Sequence, residues 1–215
     1  MTFSIVARCK ETGMLGVASS TARPAVGSLV LHAESNVGAI ATQAAVNPYF
    51  GIYGLQYLKE GLSPEEVVAK VRSEDEEDEK RQLIIVDHQG KVAGYTGEET
   101  VDWKGHILKD GFAVAGNMLV GQEVVDQMAE AYEHSEESYL PLRLFEALEA
   151  GQAAGGDKRG RQSAAIKVVD KASYAIVDLR VDEHDDPIPE LRRVYEEAEK
   201  NLFPYIETLP IYEKG

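Results

Sequence analysis

Two segments of this sequence, residues 83–86 and 164–169, are apolar at almost every position. A strand of this kind presents apolar side chains to both faces of its sheet, which must then be covered on both sides. The first segment is followed by the turn His88-Gln89-Gly90 and a second strand, and a tight hairpin turn joins antiparallel strands. We therefore expect antiparallel sheets that are buried on both faces.

Short apolar runs between glycine-containing turns predict the strands, and apolar residues spaced three and four apart predict the helices. The predicted strands cover residues 3–8, 15–19, 28–32, 38–43, 82–87, 91–95, 112–116, 163–169 and 174–180. The predicted helices cover residues 52–58, 65–71, 124–132, 144–148 and 191–205, the first ending at Gly61 and the fourth at Gly151. Ser63, Pro64 and Glu66 form a capping box that starts the second helix. The acidic run 74–79 is expected on a solvated loop because its like charges repel one another.

The order of these elements predicts the α+β class. Two stacked antiparallel sheets with helices outside, a four-layer αββα sandwich, satisfy both the hairpins and the burial. A three-layer arrangement with one sheet fits as well, and periodicity alone does not separate the two. We expect one domain over residues 1–215, in which 188–215 form a C-terminal helix and tail.

The chain is strongly acidic, with 37 Asp and Glu against 22 Lys and Arg and a net charge of -15. This charge repels phosphate backbones and anionic lipids, so neither nucleic acid nor membrane is an expected partner. No apolar run reaches the roughly 20 residues that span a bilayer, and the start lacks the pattern of a signal peptide. The only cysteine, Cys9, has no second cysteine to pair with. We expect a cytoplasmic protein.

Four stretches carry a resemblance to a known family: Thr2 to Arg8, Val37 to Ala44, Ala113 to Leu119, and Gly155 to Ala165. Together with Leu179-Arg180-Val181-Asp182 and Leu191-Arg192-Arg193 they resemble the motifs of domain-of-unknown-function family 1028 (DUF1028) over nearly the whole chain. The resemblance implies an αββα sandwich of the N-terminal-nucleophile hydrolase kind and names no substrate. The sequence departs from the family pattern at Cys9, where an acidic residue is usual, and at Ala22, where a basic residue is frequent and Arg23 stands one place later.

Thr2 is the candidate nucleophile that this resemblance implies. After removal of Met1, its hydroxyl would attack an amide or ester carbonyl and its own α-amine would take the proton. The ordinary pKa of such an amine, about 7.7 to 8.0, leaves a useful neutral fraction near pH 7. The alternative is that Thr2 is simply the first β-forming residue of an edge strand.

Attack on a carbonyl also needs donors for the oxyanion. Asn117, in the turn after a predicted strand, and Gln43 are candidate catalytic donors, with Asn47 a weaker one. All three amides would also serve to satisfy backbone groups in turns.

A basic loop within this acidic chain is the candidate substrate-binding segment. Its guanidinium groups suit a carboxylate or phosphate, and its glycines allow close backbone approach. The candidate substrate-binding residues are Arg23, Asp157, Arg159, Arg161, Gln162 and Ser163. Internal pairing of Asp157 with Arg159 or Arg161, which would tie down the loop, is the structural alternative.

We expect neither a metal nor another cofactor. Asp182, His184 and Asp186 alternate and would share one face of an extended segment, but a polar turn before the helix at Pro187 explains them as well. Cys9 is expected to be a small core or turn thiol rather than a nucleophile.

Two functional hypotheses follow. The first is a hydrolase of small amides such as N-acyl amino acids, short peptides or ureido compounds. The second is a non-catalytic binding or scaffold domain on the same fold that recognises an anionic metabolite or partner. In either case, the aromatic residues Tyr49, Phe50, Tyr53 and Tyr57 are too many for one buried helix face and predict a homodimer.

Overall fold

The computed structural model describes residues 2–212, which form ten strands and six helices. The strands are β1 (Thr2–Arg8), β2 (Leu15–Thr21), β3 (Leu31–Glu34), β4 (Gly38–Ala44), β5 (Arg81–Asp87), β6 (Val92–Thr96), β7 (Gly105–Lys109), β8 (Phe112–Asn117), β9 (Ser163–Val169) and β10 (Ala175–Val181). The helices are α1 (Tyr49–Lys59), α2 (Pro64–Ser73), α3 (Glu123–His134), α4 (Leu140–Ala153), α5 (Pro187–Asn201) and α6 (Phe203–Ile206).

The strands form two sheets in which every neighbouring pair is antiparallel. The larger sheet has the order β10-β9-β2-β1-β8-β7, and the smaller has the order β3-β4-β5-β6. The central strands β1 and β2 are buried along nearly their whole length. Antiparallel pairing and burial on both faces therefore agree with the sequence-based expectation.

Three apolar cores explain why the sheets are buried on both faces. Val6 and Val17 of the larger sheet pack between the two sheets against Ile84 and Val86 of β5. Ile5, one residue earlier than Val6, points the other way and belongs to the core beneath α3, α4 and α5, because successive strand residues alternate between faces. A third core lies between the smaller sheet and helices α1 and α2. The four-layer αββα sandwich is confirmed, and the single-sheet alternative is wrong.

The capping box at the start of α2 is confirmed. The Ser63 hydroxyl accepts the N–H of Glu66 at 3.3 Å, and the Glu66 carboxylate accepts the N–H of Ser63 at 2.8 Å. This second bond lowers the pKa of the Glu66 carboxyl, because it stabilises the charged form. The acidic run beyond α2 is only partly solvated, since the Asp75 carboxylate accepts a bond from Arg81 at 3.0 Å.

Three sequence-based boundaries are wrong for tertiary reasons. A strand was predicted at 28–32, but the structure has a 3-10 turn at Val26–Ser28 and begins β3 at Leu31. The backbone N–H of Val26 donates to the Ser163 hydroxyl at 3.0 Å and so is not available to a neighbouring strand. Strand β7 was not predicted, since it is an edge strand with weak apolar alternation. Gly151 does not end α4 but lies inside it, where a side chain would clash: a Cβ there would stand 2.7 Å from Met128 Cγ.

No helix in residues 2–212 is long and apolar enough to cross a lipid bilayer.

Candidate active site at the ends of the central strands

One edge of the sandwich collects the candidate residues from distant parts of the sequence. In an antiparallel sheet one strand begins where its neighbour ends, so the start of β1 lies beside the ends of β2 and β8. Thr2 is opposite Asn117 in the β1–β8 pair, and Thr21 is opposite Ser163 in the β2–β9 pair. The end of β4 in the smaller sheet brings Gln43 to the same edge.

Thr2 is 5% exposed and held from two sides. Its hydroxyl donates to the Thr21 hydroxyl at 3.3 Å, and its carbonyl oxygen accepts from Gln43 Nε2 at 3.3 Å. The reactive candidate is therefore fixed by one strand of its own sheet and one strand of the facing sheet.

Gln82 is the centre of the polar network behind Thr2. Its Oε1 accepts from Gln43 Nε2 at 2.7 Å and from Asn117 Nδ2 at 2.9 Å. Its Nε2 lies 2.9 Å from the Gly116 carbonyl oxygen, and the residue is completely buried. Gln82 was not among the residues expected from the sequence, because a single glutamine at the start of the run 82–86 is no signal of a functional role.

Gln43 positions Thr2. Both N–H groups of its amide are donated within the protein, to Thr2 and to Gln82, while its Oε1 accepts from the Ser4 hydroxyl at 2.5 Å. An amide of this kind carries only two N–H donors. To bind an oxyanion, Gln43 would have to give up one of these bonds.

Asn117 has donor capacity left for a ligand. One N–H of its amide is donated to Gln82, and the second has no acceptor among residues 2–212. The side chain lines a cavity beside Thr2 although the residue is 2% exposed. Asn117 is thus the better placed of the two predicted oxyanion donors.

A two-part cavity opens at this edge of the sandwich. We call the larger part, of about 570 Å³, the outer cavity and the smaller part, of about 130 Å³, the inner cavity. The outer cavity is lined by Asn117, Met118, Lys80 and residues 99–101, among others, and the inner cavity by Thr2, Thr21 and residues 24–26. Both are lined by Arg23, Leu29, Ala44 and Val46, so they form one continuous cleft.

Strained backbone surrounds the cleft. Ala25, Ala44 and Met118 have φ values of 56°, 72° and 55°, in the left-handed region that residues with a side chain rarely adopt. Each such residue costs of order 1–3 kcal/mol, and this kind of strain clusters at functional sites. Ala25 lines the inner cavity, Met118 the outer cavity and Ala44 both.

Three cations line the outer cavity, but they differ in their partners. Lys80 pairs with Glu77, and Arg159 pairs with the buried Asp157 carboxylate at 3.1 Å. Arg23 forms no ion pair with a carboxylate within residues 2–212. Among the cations that line the cleft, the Arg23 guanidinium is therefore the one without an ion pair within residues 2–212, while the Glu99 carboxylate also lines the outer cavity.

Two other residues of the predicted substrate-binding set, Asp157 and Ser163, hold the backbone next to the cleft. Asp157 accepts the N–H of Ala22 at 2.9 Å, and the completely buried Ser163 donates its hydroxyl to the Arg23 carbonyl oxygen at 2.6 Å. Both contacts hold the segment that carries Arg23. A substrate-binding role for Asp157 and Ser163 stays a prediction, but these contacts give both residues a structural explanation.

Arg161 and Gln162 lie at the far side of the predicted basic loop. The Arg161 guanidinium pairs with Asp186 at 2.8 Å, and the backbone N–H of Gln162 donates to the Thr21 carbonyl oxygen at 2.9 Å. Neither is among the residues that line the two cavities. Their predicted contact with a substrate is untested.

The side chains considered for metal binding have other partners. Asp182 pairs with Arg180 at 2.6 Å, and Asp186 pairs with Arg161.

Asn47 and Cys9 also have structural partners. The Asn47 side chain accepts the N–H of Tyr49, the first residue of α1, at 3.1 Å, as its structural explanation predicts. Cys9 is buried, and its thiol donates to the Glu11 carboxylate at 3.2 Å.

The fold and the cleft define an αββα sandwich protein with a two-part cavity at the ends of its central strands. The model of a family of unknown function, DUF1028, matches residues 2–191, and the chain belongs to this family. The strand edge around Thr2, Gln43, Asn117 and residues 155–163 therefore lies within the region that the family shares.

Two solved structures are similar to this chain to different degrees. Protein SPO2555 from Silicibacter pomeroyi, described as a DUF1028 protein, is 36% identical, with 98% of this chain and 95% of that chain covered and a TM-score of 0.91. Anbu (ancestral beta-subunit) from Yersinia bercovieri is 12% identical, with 99% and 100% of the chains covered and a TM-score of 0.45. No curated protein matches the sequence.

Proposed function

We propose that the protein is an N-terminal-nucleophile hydrolase of small amides, with Thr2 as nucleophile. The observation that carries the proposal is the position of Thr2: it begins a central strand, lines the inner cavity and lies opposite Asn117.

The proposed reaction has two steps. Thr2 Oγ1 attacks the amide carbonyl while the α-amine of Thr2 takes the hydroxyl proton. The C–N bond then breaks, the proton passes to the leaving amine, and the acyl group remains on Thr2 as an ester. Water attacks this ester and gives a proton to the α-amine, which returns it to Oγ1 as the acid leaves.

Asn117 is the proposed oxyanion donor. Its remaining amide N–H is fixed by the bond that the other N–H makes to Gln82, so little reorganisation is needed when charge develops. Loss of one such donor costs about 100- to 1000-fold in kcat in other hydrolases. We expect Asn117→Ala to fall in this range.

The proposal requires that Met1 be removed, because a blocked threonine has no free amine. Met1 lies outside the described residues. The test is the intact mass of protein purified from its own cells, together with turnover of a neutral activated ester, 4-nitrophenyl butanoate. We expect a mass without methionine, turnover in Thr2→Ser and none in Thr2→Ala at an unchanged melting temperature. A retained methionine, or full activity in Thr2→Ala, contradicts the proposal.

The second candidate is a binding domain for an anionic ligand without catalysis, which the Arg23 guanidinium at the cleft favours. Calorimetry against small carboxylates and phosphates would then find a ligand whose affinity falls in Arg23→Gln and stays unchanged in Thr2→Ala. Detectable amide hydrolysis that requires Thr2 excludes this alternative.

A further inference from the structure

The shape and charge of the cleft narrow the class of substrate. We propose that the substrate is a short-chain N-acyl amino acid whose acyl group fills the inner cavity and whose carboxylate binds the Arg23 guanidinium. This inference rests on the proposed function of Thr2.

The inner cavity suits a small apolar group. Besides Thr2, Thr21, Arg23 and Ser28, it is lined by Pro24, Ala25, Val26, Leu29, Val30, Ala44 and Val46. Its volume of about 130 Å³ is slightly below that of an apolar cavity that holds benzene, about 150 Å³. The cavity therefore matches in volume an acyl chain of about five heavy atoms, and a much longer chain would have to extend out of it.

The positions of Thr2 and Asn117 place the reacting carbonyl where the two cavities meet. Thr2 lines the inner cavity and Asn117 the outer one, so a carbonyl between them has its carbon near Thr2 and its oxygen towards the Asn117 amide. Of the two orientations that remain, the proposal takes the one with the acyl chain in the inner cavity, whose mostly apolar lining suits a hydrocarbon chain. The leaving amine then lies in the outer cavity, and Arg23 lines both cavities.

Arg23 supplies the charge that the carboxylate of an amino acid requires. It lines both cavities, and its guanidinium has no carboxylate partner within residues 2–212, unlike those of Lys80 and Arg159. A guanidinium binds a carboxylate through two parallel N–H bonds. In a chain with a net charge of -15, such a site attracts an anion that the rest of the surface repels.

The same lining disfavours the two other amide classes expected from the sequence. A peptide would place its N-terminal ammonium near the inner cavity, whose described lining contains no Asp or Glu. A ureido compound would place an NH₂ group there, where the hydroxyls of Thr2, Thr21 and Ser28 are the side-chain acceptors in a mostly apolar lining. An unsubstituted acyl chain needs neither a carboxylate nor an acceptor in this cavity.

The test compares N-butanoylglycine with its neutral analogue N-butanoylglycinamide on the full-length, methionine-free protein. Bonds to a charged group predict that kcat/KM favours the acid by about 10- to 100-fold. Arg23→Gln should remove this preference. Arg193→Gln, which removes an exposed arginine paired with Glu190 on α5, should keep it. N-dodecanoylglycine should react at least tenfold more slowly than the butanoyl compound.

Turnover of 4-nitrophenyl butanoate separates the two levels of the proposal, because this ester carries no carboxylate. Thr2-dependent ester hydrolysis with equal rates for acid and carboxamide overturns the substrate class and leaves the hydrolase function standing. An acid preference that survives Arg23→Gln overturns the role of Arg23. Absence of ester turnover in methionine-free protein overturns both proposals.

Discussion

The Thr2 hydroxyl donates a hydrogen bond to the Thr21 hydroxyl at 3.3 Å, which joins the start of β1 to the end of β2. The acceptor fixes the rotamer of the side chain that we propose as nucleophile. Thr21 is therefore a positioning residue for Thr2. It also lines the inner cavity, which is the proposed acyl pocket.

Replacing Thr21 by valine keeps the shape of the side chain and removes the acceptor. We expect kcat to fall by roughly 2- to 10-fold, since a hydrogen bond of this kind contributes about 0.5–1.5 kcal/mol. Thr21→Ser keeps the hydroxyl and should recover most of the rate on the neutral ester. Equal rates in Thr21→Val and the wild type would show that this contact does not position Thr2.

Gln82 should contribute strongly to stability, because it is the acceptor of two buried amide donors. Gln82→Met leaves donors of Gln43 and Asn117 without their buried acceptor, at about 1–3 kcal/mol for each unsatisfied group. We therefore expect a loss of about 2–6 kcal/mol in the free energy of unfolding, measured in urea. The matched change Gln89→Met, at an exposed glutamine in the turn between β5 and β6, should stay within about 0.5 kcal/mol of the wild type.

Asp157 should hold the loop 155–163 in place. Its buried carboxylate accepts from Ala22 and Arg159, so Asp157→Asn weakens two contacts and is expected to cost about 1–3 kcal/mol. Limited proteolysis should then cut the loop faster than in the wild type. Asp110→Asn, at an exposed aspartate, is the control. Unchanged cleavage in Asp157→Asn would argue against the anchoring role.

The free energy of unfolding should decrease as the pH is lowered below the ordinary pKa of histidine. Burial lowers the pKa of the His106 imidazole from its ordinary value of 6.5, and it lowers the pKa of His32 in the same direction. The unfolded chain therefore binds protons more readily, and stability that is complete above pH 6.5 is lost as pH falls towards the folded-state pKa.

Urea unfolding at pH 7.5 and 5.5 tests this dependence. His106→Gln should reduce the difference between the two midpoints, whereas His134→Gln, at an exposed histidine, should leave it unchanged. An equal difference in His106→Gln and the wild type would exclude His106 as a source.

We propose that the exposed aromatic face of α1 forms a homodimer contact. Tyr49 and Tyr53 are 57% and 41% exposed, and their rings stack with centroids 5.2 Å apart, while Phe50 is buried in the core. Light scattering should give twice the monomer mass, and Tyr49→Ser combined with Tyr53→Ser should reduce it to the monomer. Tyr205→Ser, at an equally exposed tyrosine on α6, should leave the mass unchanged.

The sequence predicted most strands and helices because their signals are local. The capping box at Ser63 and the alternation of Ile5 with Val6 depend only on residues close together in the chain. The errors lie where a distant residue decides the structure. Ser163 turns residues 26–28 into a 3-10 helix, and Met128 explains a glycine inside α4.

The sequence predicted several residues of the candidate site but not how they are arranged. Thr2, Gln43 and Asn117 were selected from motifs and strand ends, and they meet at one edge of the sandwich. Gln82, which connects Gln43 to Asn117, was missed because a single glutamine in an apolar run carries no signal of its own.

The sequence by itself determined the antiparallel pairing, the burial of both sheet faces and the acidic surface, since these depend on periodicity, turn residues and composition. Only the tertiary structure decided that the strands form two sheets and that their ends enclose a two-part cleft. It also separated the three cleft cations into Lys80 and Arg159, which have carboxylate partners, and Arg23, which has none within residues 2–212. Which carboxylate lies beside which cation depends on how the elements pack, and no local pattern in the sequence predicts it.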